Sequence, residues 1–290
     1  MKPKIIVICG PTASGKTALS VELAKQINGE IISADSMQIY KYMNIGTAKP
    51  TVEEMQGVKH HLINYIEPDH RYSVADFKKD ATKSIKLIIE KNKVPIVVGG
   101  TGLYVNSLIY NIEYPNIYFD EKYRKYLEER VQKEGLANLY NEAKKIDSIA
   151  MEKISINDKK RILRILEIYN STGKNKTFQD MESTKKESDY DFKIYALDWK
   201  REVLYDRINQ RVDIMIKNGL IEEVKEILKR YNNFPTAMQG LGYKEVVEYI
   251  EGNITKEKMI EKIKQETRRY AKRQLTWFRK NKQTIWLERK

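Results

Sequence analysis

The 290-residue chain has one cysteine, Cys9, three histidines and a deficit of acidic charge. A single cysteine excludes an internal disulfide. Set in an apolar segment, Cys9 reads as a small core residue of a reducing compartment. No Cys/His cluster has zinc spacing, and the adjacent pair His60-His61 reads as local packing or hydrogen bonding. No apolar run approaches the ~20 residues of a membrane span, so no membrane partner is expected. The N-terminal apolar run is too short for a signal peptide and leads straight into a glycine loop, so a cytoplasmic location is expected. Lys and Arg outnumber Asp and Glu by 53 to 40, a net charge of +13, which points to a polyanionic partner. Part of that lysine excess is compositional, since the chain is also rich in Ile, Asn and Tyr. Hydrophobic residues make up 41%, enough for a sizeable core. The length suits one large domain or a domain carrying an insertion.

What the chain does have is a phosphate loop in its proper setting. Ile5-Ile6-Val7-Ile8 reads as a short buried strand, and Ala18–Ala24 as a helix. Between them runs G-x-x-x-x-G-K-T: Gly10, Pro11, Thr12, Ala13, Ser14, Gly15, Lys16 and Thr17. The glycines let the backbone curl so that successive N–H groups point inward as an anion nest. The helix start adds partial positive charge. Lys16 brings a full charge, and the Thr17 hydroxyl is placed to ligate Mg²⁺, partly through water. The loop specifies a diphosphate or polyphosphate ligand; it does not specify the reaction.

Ile31-Ile32 begins a second strand with Asp35 at its end, where the carboxyl ends of parallel strands line a ligand crevice. A carboxylate there can hold Mg²⁺ through water, accept a proton from a nucleophile, or form an Asx turn. His61–Ile66 is expected to be another strand, and Val74–Lys91 an amphipathic helix burying Phe77, Ala81, Ile85, Ile88 and Ile89. Val94–Val98 is a buried strand that ends in Gly99-Gly100-Thr101-Gly102. No acid ends it, which argues against a motor ATPase; Thr101 offers a hydroxyl instead.

From about Tyr114 to Tyr190 Lys, Glu, Asn and Tyr dominate, which reads as a helical insertion. Asp120–Gln132, Asn138–Lys145 and Asp158–Asn170 are its expected helices. In the last, Ile162, Leu163, Ile165, Leu166 and Tyr169 form the apolar face, Arg161 and Arg164 share the other flank, and Gly173 stops it. Phe192–Asp198 returns to strand character. Arg201–Tyr231 reads as helix broken near Gly219, with Leu204, Ile208, Val212 and Met215 as its stripe. Arg207 and Arg211, four apart beside that stripe, suit either a bidentate phosphate clamp or surface ion pairs. Ala237–Glu245 is a glycine turn into a helix, and a final helix spans about Lys256 to Lys280. Lys256–Lys290 holds thirteen basic residues against four glutamates, interleaved with Tyr, Trp and Phe, a composition suited to RNA or to a solvated basic face.

These segments together resemble the tRNA dimethylallyltransferase, or tRNA isopentenyltransferase, family. The resemblance rests on the phosphate loop, the series DSMQIY (35–40), GTAKP (46–50), GGTGLY (99–104), the Asp158–Glu167 helix, Gly240–Glu245 and TRRYAKRQLTWFR (267–279), in that order. It is loosest from Tyr114 to Ala150, and Leu241 stands where the family often has Ile or Val. No zinc-finger extension follows, which implies the bacterial form.

The implied fold is α/β: a P-loop NTPase-like core with a parallel sheet over 1–113, a mainly helical, tRNA-contacting insertion over 114–190, and core completion with a basic helical C-terminal region over 191–290. The implied reaction moves a dimethylallyl group from its diphosphate to the exocyclic amine of adenosine at tRNA position 37. The phosphate loop with Arg207 and Arg211 would hold the diphosphate, Mg²⁺ would assist its departure, Asp35 would be the base, and Thr101 would orient the reacting centre. Asp35, Ser36, Met37, Gln38, Thr101, Arg124, Lys160, Arg161, Arg164, Tyr243, Lys244, Arg268 and Lys272 would contact the tRNA anticodon stem-loop. A monomer is expected. Three alternatives stand beside this reading: prenylation of free adenine nucleotides, a nucleoside or nucleotide kinase, and a nucleotide-gated RNA-binding module without turnover.

Overall fold

The structure is a computed structural model that describes residues 2–114, 120–183 and 187–289. It opens with β1 (Lys4–Cys9), α1 (Lys16–Gln26), β2 (Gly29–Ser33), α2 (Val52–Met55), β3 (His60–His61), α3 (Val74–Glu90), β4 (Val94–Gly99) and α4 (Gly102–Ile109). Five helices follow: α5 (Glu121–Glu134), α6 (Leu136–Ile146), α7 (Ser148–Met151), α8 (Lys159–Thr172) and α9 (Lys176–Ser183). The chain returns through β5 (Asp191–Trp199), α10 (Arg201–Lys217), α11 (Leu220–Arg230), α12 (Tyr243–Ile250), α13 (Lys256–Phe278) and β6 (Ile285–Arg289). Two compact units result, Met1–Ile109 with Ser188–Lys290, and Tyr110–Glu187.

The first unit is built on a parallel sheet in the order β3-β2-β4-β1-β5-β6. β1 lies inside it, paired with β4 through Ile6↔Ile96 and Ile8↔Val98 and with β5 through Val7↔Ile194. Both faces of the strand are covered, which is why it reads as an unbroken apolar run. Ile5, Val7 and Cys9 face one core cluster with Phe77 and Ile85 of α3; Ile8 faces another with Val21 and Ala24 of α1. Because every strand is parallel, the loops after β1, β2 and β4 emerge at the same edge.

Gly99 is demanded by that edge. A Cβ there would lie 2.1 Å from the Ala34 carbonyl oxygen, and that carbonyl accepts the Thr101 N–H at 3.2 Å. The obstacle is backbone, so it cannot swing aside. Gly99→Ala is expected to lower unfolding free energy by about 3 kcal/mol, at the upper end of ordinary overpacking penalties, as read from urea denaturation. A loss below about 1 kcal/mol would show that the strand ends part freely.

Two expectations need correction. His61–Ile66 is not a continuous strand: β3 pairs only through Ile31↔His60 and Ile32↔His61, the chain then turns through positive φ at Leu62 (59°) and Asn64 (56°), and Ile66 makes a single isolated bridge to Tyr40. Extended pairing cannot continue through left-handed backbone. The histidine side chains hydrogen-bond locally, His60 Nδ1 to the Val58 carbonyl at 2.9 Å and His61 Nε2 to Glu30 at 2.7 Å. The second correction concerns α8. Its buried residues are Ile162, Leu163, Ile165, Leu166, Glu167 and Ile168, whereas Tyr169, an amphipathic side chain, is 45% exposed.

The unit Tyr110–Glu187 is helical, with Leu127, Leu139, Met151, Ile162, Leu163 and Leu166 in its core. Asp158 caps α8 by accepting the Arg161 N–H at 3.1 Å, and Gly173, at φ 66°, ends it.

Candidate active site

The phosphate loop between β1 and α1 has three of its carbonyls engaged by side chains: Pro11 accepts from Lys16 Nζ at 2.6 Å, Ala13 from Arg207 Nε at 2.8 Å, and Ser14 from Trp199 Nε1 at 3.0 Å. Positive φ at Gly10 (135°), Ala13 (61°) and Gly15 (87°) makes the curl. Gly15 is the N-cap of α1 and supplies no side-chain cap, so the first amides of the helix are left for an anion.

The loop forms one wall of a cavity of about 660 Å³. Asp35, segment 44–49, Gly99-Gly100, the Arg207–Met215 face of α10, and Tyr270 and Gln274 of α13 complete it. A second cavity of about 340 Å³ shares Asp35, Arg211, Met215 and Tyr270 with the first and extends to Gly240–Lys244 and Arg273. Asp35 thus stands where the two meet.

Burial and then the charge of Arg211 push the Lys16 ammonium down to about 8, with Asp35 opposing. Burial likewise lowers Arg211, again opposed by Asp35. Asp35 Oδ1 accepts the N–H groups of Met37 (2.9 Å) and Gln38 (3.2 Å) in an Asx turn. Its Oδ2 has no hydrogen-bond partner among the described residues. The Asx turn therefore uses one oxygen and leaves the other unbonded on a residue that lines both cavities. Thr101 Oγ1 accepts the Ser36 N–H at 3.1 Å, linking the turns after β2 and β4. Burial raises the Tyr270 hydroxyl to about 12; the charge of Asp35 adds to this, while Thr101 and Gln274 oppose it.

The two arginines of α10 differ. Arg207 braces the loop, its Nε on Ala13 and its guanidinium 4.6 Å from the Trp199 ring centre. Arg211 lines both cavities and makes no hydrogen bond or ion pair among the described residues. Thr17 lines the larger cavity beside Lys16.

Most other residues singled out from the sequence have their polar groups engaged within the chain, and a few lie exposed. Gln38 donates through Nε2 to the Thr47 and Ala48 carbonyls, each at 3.2 Å. Tyr243 is fully buried and donates to Glu223 at 2.6 Å; Lys244 Nζ lies 3.3 Å from Glu245. Arg268 donates to Asn209 at 2.6 Å and to Glu261 at 3.0 Å, whereas Lys272 is exposed. In the helical unit, Arg124 and Arg164 grip opposite oxygens of Glu167 at 3.0 and 3.3 Å. Lys160 and Arg161 lie exposed in the first turn of α8, Arg161 being 3.4 Å from Asp158.

Sequence reasoning missed Gln274 and Glu223. Gln274 is buried, accepts the Thr12 N–H at 2.9 Å and donates to the Gly100 carbonyl at 2.9 Å, so that α13 ties the two glycine turns together. A Cβ on Gly100 would sit 2.2 Å from its Nε2. The only sequence signal was its place on the buried stripe of α13, four residues after Tyr270.

Comparisons with known proteins place the chain among its relatives. The family model described as IPP transferase matches residues 38–281. The tRNA dimethylallyltransferase of Acetivibrio thermocellus is 50% identical over 286 residues, covering 98% of this chain and 91% of that protein. That of Thermoanaerobacter sp. is 52% identical over 282 residues, covering 96% and 90%. Among solved structures, the full-length tRNA isopentenylpyrophosphate transferase of Bacillus halodurans superposes with a TM-score of 0.73 at 45% identity, covering 99% of this chain and 90% of that one. A eukaryotic dimethylallyltransferase acting on tRNA gives 0.83 at 32% identity, covering 99% and 74%. With its phosphate loop, Asp35 and Arg211 gathered around one cavity and the family model matched over most of its length, the chain belongs to the IPP transferase family.

Proposed function

We propose that this enzyme transfers a dimethylallyl group from dimethylallyl diphosphate to the exocyclic amine of adenosine at position 37 of a tRNA anticodon stem-loop. The observation that carries the reading is the meeting of three elements at one cavity: the phosphate loop, the Arg211 guanidinium and the Asp35 carboxylate. The bond from the allylic carbon to the diphosphate oxygen breaks as the carbon–nitrogen bond forms. The amine loses a proton, for which Asp35 Oδ2 is the acceptor. The diphosphate leaves carrying the electron pair, held by the loop amides, Lys16 and Arg211. Arg207 holds the loop itself in shape. Hard oxygen donors are what Mg²⁺ takes, with few protein ligands beside phosphate oxygens. The Thr17 hydroxyl next to Lys16 fits that pattern, and the ion, when bound, neutralises charge on the departing diphosphate.

For the acceptor, the basic C-terminal helix supports RNA over a free nucleotide. Lys272 and Arg273 lie exposed on α13, and Arg273 reaches the smaller cavity. Arg161, Arg164 and Lys160 offer further basic contacts. A flipped base costs a few kcal/mol to unstack, which phosphate contacts offset. The test is a direct competition. An anticodon stem-loop with adenosine at position 37 is expected to be modified, while AMP, ADP and ATP are negligible acceptors by nucleoside mass analysis. Binding of the stem-loop should weaken steeply with salt, and Lys272→Ala should reduce the salt slope by about one. AMP proving the better acceptor would overturn the tRNA reading and leave the donor chemistry standing. Arg268→Ala is a poorer probe, because it also removes the bond to Asn209.

A further inference from the structure

Segment 44–48 contributes Asn44, Ile45, Thr47 and Ala48 to the lining of the larger cavity, and Thr47 lines both cavities. One side chain holds it. Glu223, in the first turn of α11, accepts the N–H groups of Asn44 (2.9 Å) and Ile45 (2.8 Å) on Oε2. Its Oε1 accepts the Gly46 N–H (3.1 Å) and the Tyr243 hydroxyl (2.6 Å). Four donors therefore converge on one carboxylate, an arrangement that needs a group with acceptors only. Gly46 lies so close to Tyr243 that a Cβ would be 2.5 Å from its ring. The segment is also closed on itself, by Ala48 N–H to Ile45 O (3.0 Å) and Lys49 N–H to Asn44 O (2.9 Å), so it shifts as a unit. Its far end accepts Gln38 Nε2 on the Thr47 and Ala48 carbonyls, and the Gln38 N–H donates to Asp35 Oδ1.

We propose that Glu223 is a positioning residue for the transfer reaction: its carboxylate sets segment 44–48, and through Gln38 that segment sets the orientation of Asp35. The inference rests on the reading of Asp35 as the proton acceptor. A glutamine at 223 would turn an NH₂ group toward the Gly46 N–H or toward the Asn44 and Ile45 pair, donor facing donor. The segment would then move away, and Gln38 with it. Sub-ångström misplacement of a reacting group is enough to slow chemistry, and about 1 Å can cost roughly a hundredfold.

The test is a double-mutant cycle on the single-turnover rate constant, at saturating dimethylallyl diphosphate and tRNA and corrected for active enzyme. Glu223→Gln and Gln38→Ala are each expected to lower it by about tenfold. Together they should lower it by no more than about twofold beyond the worse single variant, because both break one path. KM for the diphosphate should stay within about threefold, since Glu223 hydrogen-bonds segment 44–46 and Tyr243 rather than the phosphate loop among the described residues; a merely destabilising change would not split kcat from KM in this way. If Glu223→Gln fails to fold, Gly46→Ala displaces the same segment from the Tyr243 side and takes its place in the cycle, with the same expectation. A rate within twofold of the parent, or a double effect equal to the product of the singles, would overturn the proposal. Asp35→Asn, measured alongside, separates the two readings. If it changes the rate by less than about threefold, the role of Asp35 as base falls, since general bases contribute far more. Coupling between Glu223 and Gln38 would still report whether the carboxylate acts through the segment.

Discussion

Lys16→Ala should reduce single-turnover transfer by at least about 10²–10³-fold, the scale seen when one preorganised partner of a developing negative charge is removed. Lys16 is the only lysine of the phosphate loop, and its ammonium folds over the loop onto the Pro11 carbonyl at 2.6 Å. Burial and Arg211 both work against its charge, and Asp35, with a smaller effect from Cys9, supports it. A diphosphate beside it reverses that balance, so part of the binding energy comes from relieving two clustered cations. Donor affinity of the free enzyme should accordingly fall as pH rises through about 8, because the charged form of Lys16 binds the anion and the neutral form does not. Alanine removes both the charge and this pH dependence. Titration calorimetry with dimethylallyl diphosphate, followed by a rapid-quench single turnover, checks both. A variant that binds and turns over within about threefold of the parent would take the loop out of the mechanism.

For Asp35→Asn, the expected loss in single-turnover rate is about 10²–10⁴-fold, the contribution of one general base. The substitution suits the site because an amide oxygen can still accept the Met37 and Gln38 N–H groups that bind Oδ1. The Asx turn survives while the carboxylate's basicity is lost. Stem-loop binding, followed by anisotropy, should be nearly unchanged. Arg211 and Lys16 lose a counter-charge at the same time, so donor affinity should hold or rise. The pattern expected is therefore a fall in rate without a fall in either affinity. A fall below threefold would leave Asp35 with only its hydrogen bonds to the turn.

Much of this site could be read from local sequence, and the reason is spacing. β1, the phosphate loop and α1 occupy consecutive residues, so the apolar run, two glycines and G-K-T already determine the strand, the curl and the helix start. Asp35 and Gly99-Gly100 follow short buried strands, and in a parallel sheet strand ends share an edge. Their meeting at one cavity thus follows from the parallel topology. Local pattern failed where two states compete closely. His61–Ile66 has strand composition but turns at Leu62 and Asn64, and β6, pairing Ala196 with Trp286, is a five-residue edge strand that carries no comparable signal.

The sequence by itself determined the phosphate-binding turn, the strand-end acid and the basic, aromatic last helix, because each depends on neighbours in the chain. Tertiary structure alone decided which arginine braces and which stays open. Arg207 and Arg211 are equivalent on a helical wheel and differ only in what lies across from them: Ala13 and Trp199 for one, cavity for the other. The same holds for Gln274, which bonds to Thr12 across 262 residues, and for Glu223, which holds Ile45 across 178. On the sequence each is one polar residue of an amphipathic helix among many. Only the tertiary placement of α11 beside segment 44–46 and of α13 beside the glycine turns gives their oxygens backbone N–H groups to accept, and no periodicity within a helix encodes that partner.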